Sequence, residues 1–166
     1  MQVRAFAWPI AVVAALVVQS TILEHVAILG VKPDLVLLLT VYTALTRGPV
    51  VAMLVGYGAG MFQDALSGGV LGDGAWAKAV CGLAVGVFRG SVFRDHLFTH
   101  VAVAMSATFV SEAAYYLLAI AFGLTEVSVG RFVAVAALGT AYNGAVAPSA
   151  FWLLNRWLPG PKTHSP

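Results

Sequence analysis

A few polar side chains stand where an oily sequence has little reason to keep them: Asp64, Lys78, Glu112, Asn143 and the pair His96 and His100. Each type could do chemistry. A carboxylate and an ammonium at matching depth can pair. An acid inside a membrane is a candidate functional group by default, and an amide can lock it by hydrogen bonds or join helices. Two histidines at i, i+4 share a helix face and can hold zinc, yet a zinc site takes three or four protein ligands and no further ligand is evident. An interfacial pair is the plainer reading. Cys81 is the single cysteine, set in an apolar run. It provides neither a disulfide nor a thiolate site and reads as a small core side chain.

These groups do not assemble into a known catalytic set. The sequence has no H-E-x-x-H, no G-x-S-x-G and no Walker loop. Asp64 and Glu112 fall on different apolar segments at different depths, which argues against a working carboxylate pair. No cofactor or metal site is implied.

The elements that carry these residues are membrane helices by composition. Of 166 residues, 60% are hydrophobic and 10% charged, and the mean hydropathy is +0.91. Soluble domains carry about 25% charged residues. The formal charge of +2 is too small to argue for nucleic acid, and the basic residues do not cluster with aromatics. Six apolar segments appear, at roughly 5–23, 34–46, 50–66, 75–89, 98–122 and 131–154. A span needs about 20 residues, so the second is short and the fourth marginal. Thinning of the bilayer or shielding by neighbours can accommodate them. The first segment reads as a retained signal-anchor helix, because Arg4 is followed by an apolar run with no convincing cleavage site. The expected fold is all-α: one integral membrane domain over 1–166 with a bundle of six transmembrane helices and a disordered tail from about 159.

Lys and Arg set the orientation. With both termini in the cytoplasm, the inner side receives Arg4, Arg47, Arg89, Arg94, Arg156 and Lys162. The outer side receives Lys32, Lys78 and Arg131, together with Glu24, Asp34, Asp64, Asp73 and Glu126. Trp8, Trp152 and Trp157 read as belt residues at the inner face and Trp76 at the outer.

Steps of four along the third and fourth segments give two smooth stripes. Ala52, Gly56 and Gly60 lead to Asp64; Lys78 leads to Gly82, Gly86 and Gly90. Small residues let membrane helices approach closely. A tight antiparallel hairpin then brings Asp64 and Lys78 to similar depth, where they are expected to pair at the outer end. Chance in a Gly-rich chain, with both charges reaching the headgroups, is the competing reading. Glu112 shares a face with Thr108 and Tyr116, next to Tyr115. Its two readings are a functional acid, or a neutral group bonded to Asn143 or a tyrosine. Pro148 is expected to kink the sixth helix one turn beyond Asn143. Ala7, Ala11 and Ala15 form a candidate docking stripe on the first helix.

The stretch from Leu29 to Gly72 resembles the MreD family of bacterial rod-shape-determining membrane proteins. The matching features are Pro33-Asp34-Leu35 opening a helix, Arg47-Gly48-Pro49 at a turn, and a Gly-rich helix ending in Gln63, Asp64, Ser67 and Gly68. The resemblance implies a non-enzymatic scaffold in the bacterial inner membrane. It implies MreC as the direct partner, with MreB, RodA and a class B penicillin-binding protein in the same elongation complex. It also implies a fold like the six-helix substrate-binding components of energy-coupling-factor vitamin transporters. That likeness supplies the rival reading, such a component itself, docking its transporter through the alanine stripe.

Overall fold

The computed structural model describes residues 3–28, 30–68, 71–91, 97–123 and 128–158. Among these the chain is all-helical. The helices are α1 (Val3–Thr21), α2 (Leu35–Arg47), α3 (Pro49–Ser67), α4 (Asp73–Val87), α5 (Leu97–Ala121) and α6 (Val129–Trp157). Single 3-10 turns follow α1 at Leu23–Val26 and α4 at Phe88–Ser91. Ile28 and Val31 form an isolated bridge, and no strand occurs among the described residues. The tail from 159, His96, Arg94, Lys162 and Glu126 lie outside the described residues.

Local chemistry explains the boundaries. Asp34 is the N-cap of α2, its Oδ1 accepting from the Leu37 amide at 2.9 Å. Ser128 does the same for α6 through the Arg131 amide. Between α2 and α3 the chain turns at Gly48, with Pro49 fitting the first position of α3. Gly48 has φ +97°, and a Cβ built there would lie 2.6 Å from Nη1 of Arg89. Glycine is needed there for its conformation, since side chains rarely adopt that φ.

The shortest apolar helix lies at the centre. α2 has 13 residues and touches every other helix. Every residue from Val36 to Leu45 is buried. This is the shielding by neighbours that a short helix requires. Leu37, Leu38, Leu39, Val41, Tyr42 and Leu45 form the main core with Ala104, Ala107, Ala147 and Phe151. Thr40 and Thr43 are fully buried, and their hydroxyls donate to the carbonyls of Val36 and Leu39. These two threonine hydroxyls are thus satisfied within the helix itself.

Sequential helices pack antiparallel. α3 and α4 make the closest contact, backbone against backbone. A Cβ on Gly60 would lie 2.6 Å from Cα of Ala75, one on Gly56 2.8 Å from the Lys78 carbonyl oxygen, and one on Gly82 2.9 Å from the Ala52 carbonyl carbon. A Cβ on Gly86 would collide with Pro49. Both predicted stripes therefore meet face to face. Gly90, the last step of the second stripe, has nothing within 4 Å and takes no part.

One end of the bundle gathers cations and aromatics. The Arg47 guanidinium lies 5.1 Å from the Trp8 ring, Arg89 packs on Gly48, and Arg156 lies 6.0 Å from the Trp152 ring. Tyr42 ties this end together by donating to the Leu158 carbonyl at 2.7 Å. The opposite end holds Asp64, Asp73 and Trp76. α6 runs unbroken through Pro148.

Among the described residues two helices, α3 and the Phe98–Ala121 stretch of α5, are long and apolar enough to cross a membrane by length and composition. α2, at about 1.5 Å per residue, reaches only about 20 Å, short of the roughly 30 Å hydrocarbon core.

Candidate functional site

The polar groups converge where α2 begins. Lys78 Nζ lies 2.9 Å from Asp34 Oδ2, and the two side chains are 7% and 21% exposed. Asp34 therefore serves two helices. One carboxylate oxygen caps α2 and the other neutralises an ammonium carried by α4. Its own backbone N–H donates to Asn143 Oδ1 at 2.8 Å. Asn143 Nδ2 in turn donates to Thr108 Oγ1 at 2.9 Å, and the Thr108 hydroxyl donates to the Ala104 carbonyl. Four helices are joined through one cap. Asn143 and Thr108 are each 1% exposed. Buried polar groups of this kind are costly unless each finds a partner, and here they do.

This arrangement corrects the expected Asp64–Lys78 ion pair. Asp64 turns instead to the start of α4. Its Oδ2 accepts from the amides of Gly72 at 3.0 Å and Ala75 at 3.1 Å. Both are N–H groups at a helix start, which have no partner within the helix. A carboxylate there also meets the positive end of the helix dipole. A Cβ on Gly74 would collide with Asp64 Oδ1, so the cap depends on a glycine in the first turn. Lys78 feels Asp64 only at longer range, after Asp34. The physical reason is reach: α2 inserts its acidic N-cap nearer to the ammonium than the tip of α3 comes.

Asn143 also differs from expectation. Its amide serves Asp34 and Thr108 rather than Glu112. Glu112 sits one turn beyond Thr108 on the same face, its Oε1 3.9 Å from where a Cβ of Gly139 would stand. It lies within electrostatic range of Asp34 and Lys78. Three carboxylates, those of Asp34, Asp64 and Glu112, thus lie within electrostatic range of Lys78, and Asp34 is the one in contact.

The other predicted residues fall as follows. Pro33 is buried beside the cap. Gln63 places its Oε1 in the interior without a hydrogen-bond partner among the described residues. Ser67 donates to the Gln63 carbonyl, and Gly68 ends α3 with φ +67°. Ala7 and Ala11 pack on the main core, and Ala15 on Leu16, Val36 and Ala59. The alanine stripe faces inward, leaving Ile10, Val13 and Val17 as the exposed face of α1. His100 stacks edge-on against Phe151 at 5.2 Å. Cys81 is buried and donates to the Ala107 carbonyl at 3.3 Å. Among the described residues no group of three His, Cys, Asp or Glu could hold a metal.

Sequence reasoning missed Gln19, which is 4% exposed and accepts from the Val36 amide at 3.3 Å. Its signal was a lone amide near the end of an apolar helix. Thr40 was missed too; its methyl wedges between the two glycine stripes, at Gly56 and Gly82.

The sequence model of a family described as rod shape-determining protein MreD matches residues 1–158. The chain belongs to the MreD family. It is thus a rod-shape-determining membrane protein, and Asp34 and Asp64 are the residues that cap α2 and α4. No curated protein and no solved structure matches the chain. The vitamin-transporter reading draws no support from these comparisons.

Proposed function

We propose that this MreD-family chain is a non-enzymatic scaffold of the cell-elongation machinery. It binds MreC directly and so helps to position peptidoglycan synthesis by RodA and a class B penicillin-binding protein relative to cytoplasmic MreB. The match of the family over residues 1–158 is the observation that carries this reading. All six helices span the inner membrane, and both termini are cytoplasmic. The gathering of Arg47, Arg89 and Arg156 at one end supports that orientation by the positive-inside rule. The buried cap at Asp34 supports a scaffold role, because it fixes four helices in one arrangement. The family model and this single packed bundle favour one integral membrane domain.

Depletion in a rod-shaped host gives rounded cells, and affinity capture of the detergent-solubilised chain retains MreC. Unchanged cell shape with no MreC retained overturns the proposal.

A further inference from the structure

Two guanidinium side chains flank the turn between α2 and α3. Arg47 is the last residue of α2, and Arg89 comes from the 3-10 turn that follows α4. Gly48 lies between them. Arg47 precedes it in the chain. The Arg89 side chain lies against it, with Nη1 2.6 Å and Cζ 3.2 Å from the place a Cβ would take. Arg89 is half-buried and Arg47 exposed. Arg47 sits 5.1 Å from the Trp8 ring centroid. Attraction to a ring face uses the charge of a guanidinium but none of its five N–H donors. Among the described residues no hydrogen bond or ion pair takes up the donors of either arginine. The described acids are engaged elsewhere: Asp34, Asp64 and Glu112 surround Lys78, and Asp73 stands at the other end of α4. The loop after Arg89 adds one charge of each sign, Arg94 and Asp95, so this end keeps its positive excess.

Exposed hydrocarbon begins beside both cations. Val50 and Leu54 are exposed and share one face of α3 at i, i+4, starting two residues after Gly48. Val87 and Phe88 are exposed and directly precede Arg89. Trp8, Trp152 and Trp157 stand at the same end of the bundle, at the level an aromatic belt takes in a membrane. A soluble anion would use the two cations and leave this hydrocarbon uncovered. A phospholipid uses both.

We propose that Arg47 and Arg89 bind the headgroup phosphate of an anionic phospholipid of the inner leaflet, its acyl chains lying against the exposed apolar residues of α3 and α4. Charge complementarity selects the headgroup. The planar fork of a guanidinium matches two phosphate oxygens at once, and two such forks flank one turn. A lipid with a net negative charge satisfies them. A zwitterionic lipid brings its own ammonium, which competes for the same phosphate and cancels the long-range attraction. The contact ties the α2–α3 turn and the end of α4 to the leaflet surface, and so fixes the depth of the glycine hairpin. This site rests on the membrane-bundle reading, with this end cytoplasmic, and not on MreC.

Native mass spectrometry of the purified full chain, titrated with phosphatidylglycerol or phosphatidylethanolamine of identical acyl chains, tests the site. An arginine near an anionic lipid surface is worth about fivefold, so the wild type retains phosphatidylglycerol about thirtyfold better than phosphatidylethanolamine. Arg47→Gln or Arg89→Gln each lowers that ratio about fivefold, and the double variant brings it close to one. Arg47 is exposed, so Arg47→Gln keeps the test decisive should Arg89→Gln fail to accumulate. Arg156→Gln removes the same charge from the same end, but on α6, which packs mainly on α5 and α2. It leaves the ratio near that of the wild type. Excess glycerol phosphate in solution leaves the lipid bound. Equal retention of the two lipids by the wild type overturns the proposal. So does displacement by glycerol phosphate, which would make this a site for a free phosphate. A loss in Arg156→Gln as large as that in Arg89→Gln also overturns it, because the preference would then belong to the overall positive field of this end. Retention of neither lipid overturns the membrane bundle itself, and the proposal with it.

Discussion

Asp34 is at once the N-cap of α2 and the counter-ion of Lys78, with 2.9 Å separating Oδ1 from the Leu37 amide and 2.9 Å separating Oδ2 from Nζ. A single side chain thereby couples the start of the central helix to the glycine hairpin. Removing it does two things together: it uncaps a buried helix and strands a buried ammonium.

Asp34→Ala and Lys78→Ala are each expected to cost about 3–5 kcal/mol, the scale for breaking one side of a buried pair. The double variant should be damaged much less than the sum. Thermal or chaotrope melts in detergent measure this as a double-mutant cycle. The parallel cycle of Asp64→Ala with Lys78→Ala should come out near additive. Strong coupling in that second cycle would contradict the pairing described here.

Asp64→Ala removes the acceptor for two amides at the start of α4. The expected loss is about 1–2 kcal/mol, the upper part of the range for an N-cap. Asp64→Asn keeps a carbonyl acceptor and should recover part of it. Hydrogen exchange at Gly72 and Ala75 reports the cap directly. Exchange unchanged in Asp64→Ala would show that those amides are protected by something else.

Gly60→Leu and Gly86→Leu force a side chain into the backbone of Ala75 and Pro49. Overpacking of this kind costs about 1–3 kcal/mol and lowers accumulation of folded protein. Gly58→Leu is the control, since nothing lies within 4 Å of its added Cβ. Equal behaviour of the three variants would refute the close helix contact.

Asn143→Leu leaves the Asp34 amide without its acceptor, while the Thr108 hydroxyl keeps its bond to the Ala104 carbonyl. A buried donor left unpaired costs about 1–3 kcal/mol. Thr108→Val should be milder, because Asn143 retains its bond to Asp34. A larger loss from Thr108→Val than from Asn143→Leu would reverse the order of importance along the network.

Reporter fusions after Ser67 and at the C-terminus should read opposite compartments, the first periplasmic and the second cytoplasmic. The same compartment for both would remove the six-span topology.

Helical character and helix order were legible from hydropathy and from local punctuation. Asp34 before an apolar run marks the start of α2, and Gly48-Pro49 marks the turn into α3. The glycine stripes were equally legible. Spacing of four is a local property of one helix, and a residue without a side chain signals close approach in whichever hairpin it occupies. Pro148 was legible as a residue of the sixth helix, and α6 contains it.

The choice among charge partners lay beyond local pattern. Asp64 and Lys78 have matching positions on two neighbouring helices, and that parity is all a linear pattern can express. Which acid reaches the ammonium depends on how far α2 inserts beside α4, a register between helices separated by a whole hairpin. The same holds for Asn143, whose partner Asp34 lies 109 residues away along the chain. It holds for the alanines of α1, whose spacing marks a face but not whether that face turns inward. Composition and period thus determined that this protein is a helical membrane bundle with one tight glycine hairpin. Only tertiary packing decided which charges meet, because opposite charges attract without directional preference and the backbone register alone sets which of them come within 3 Å.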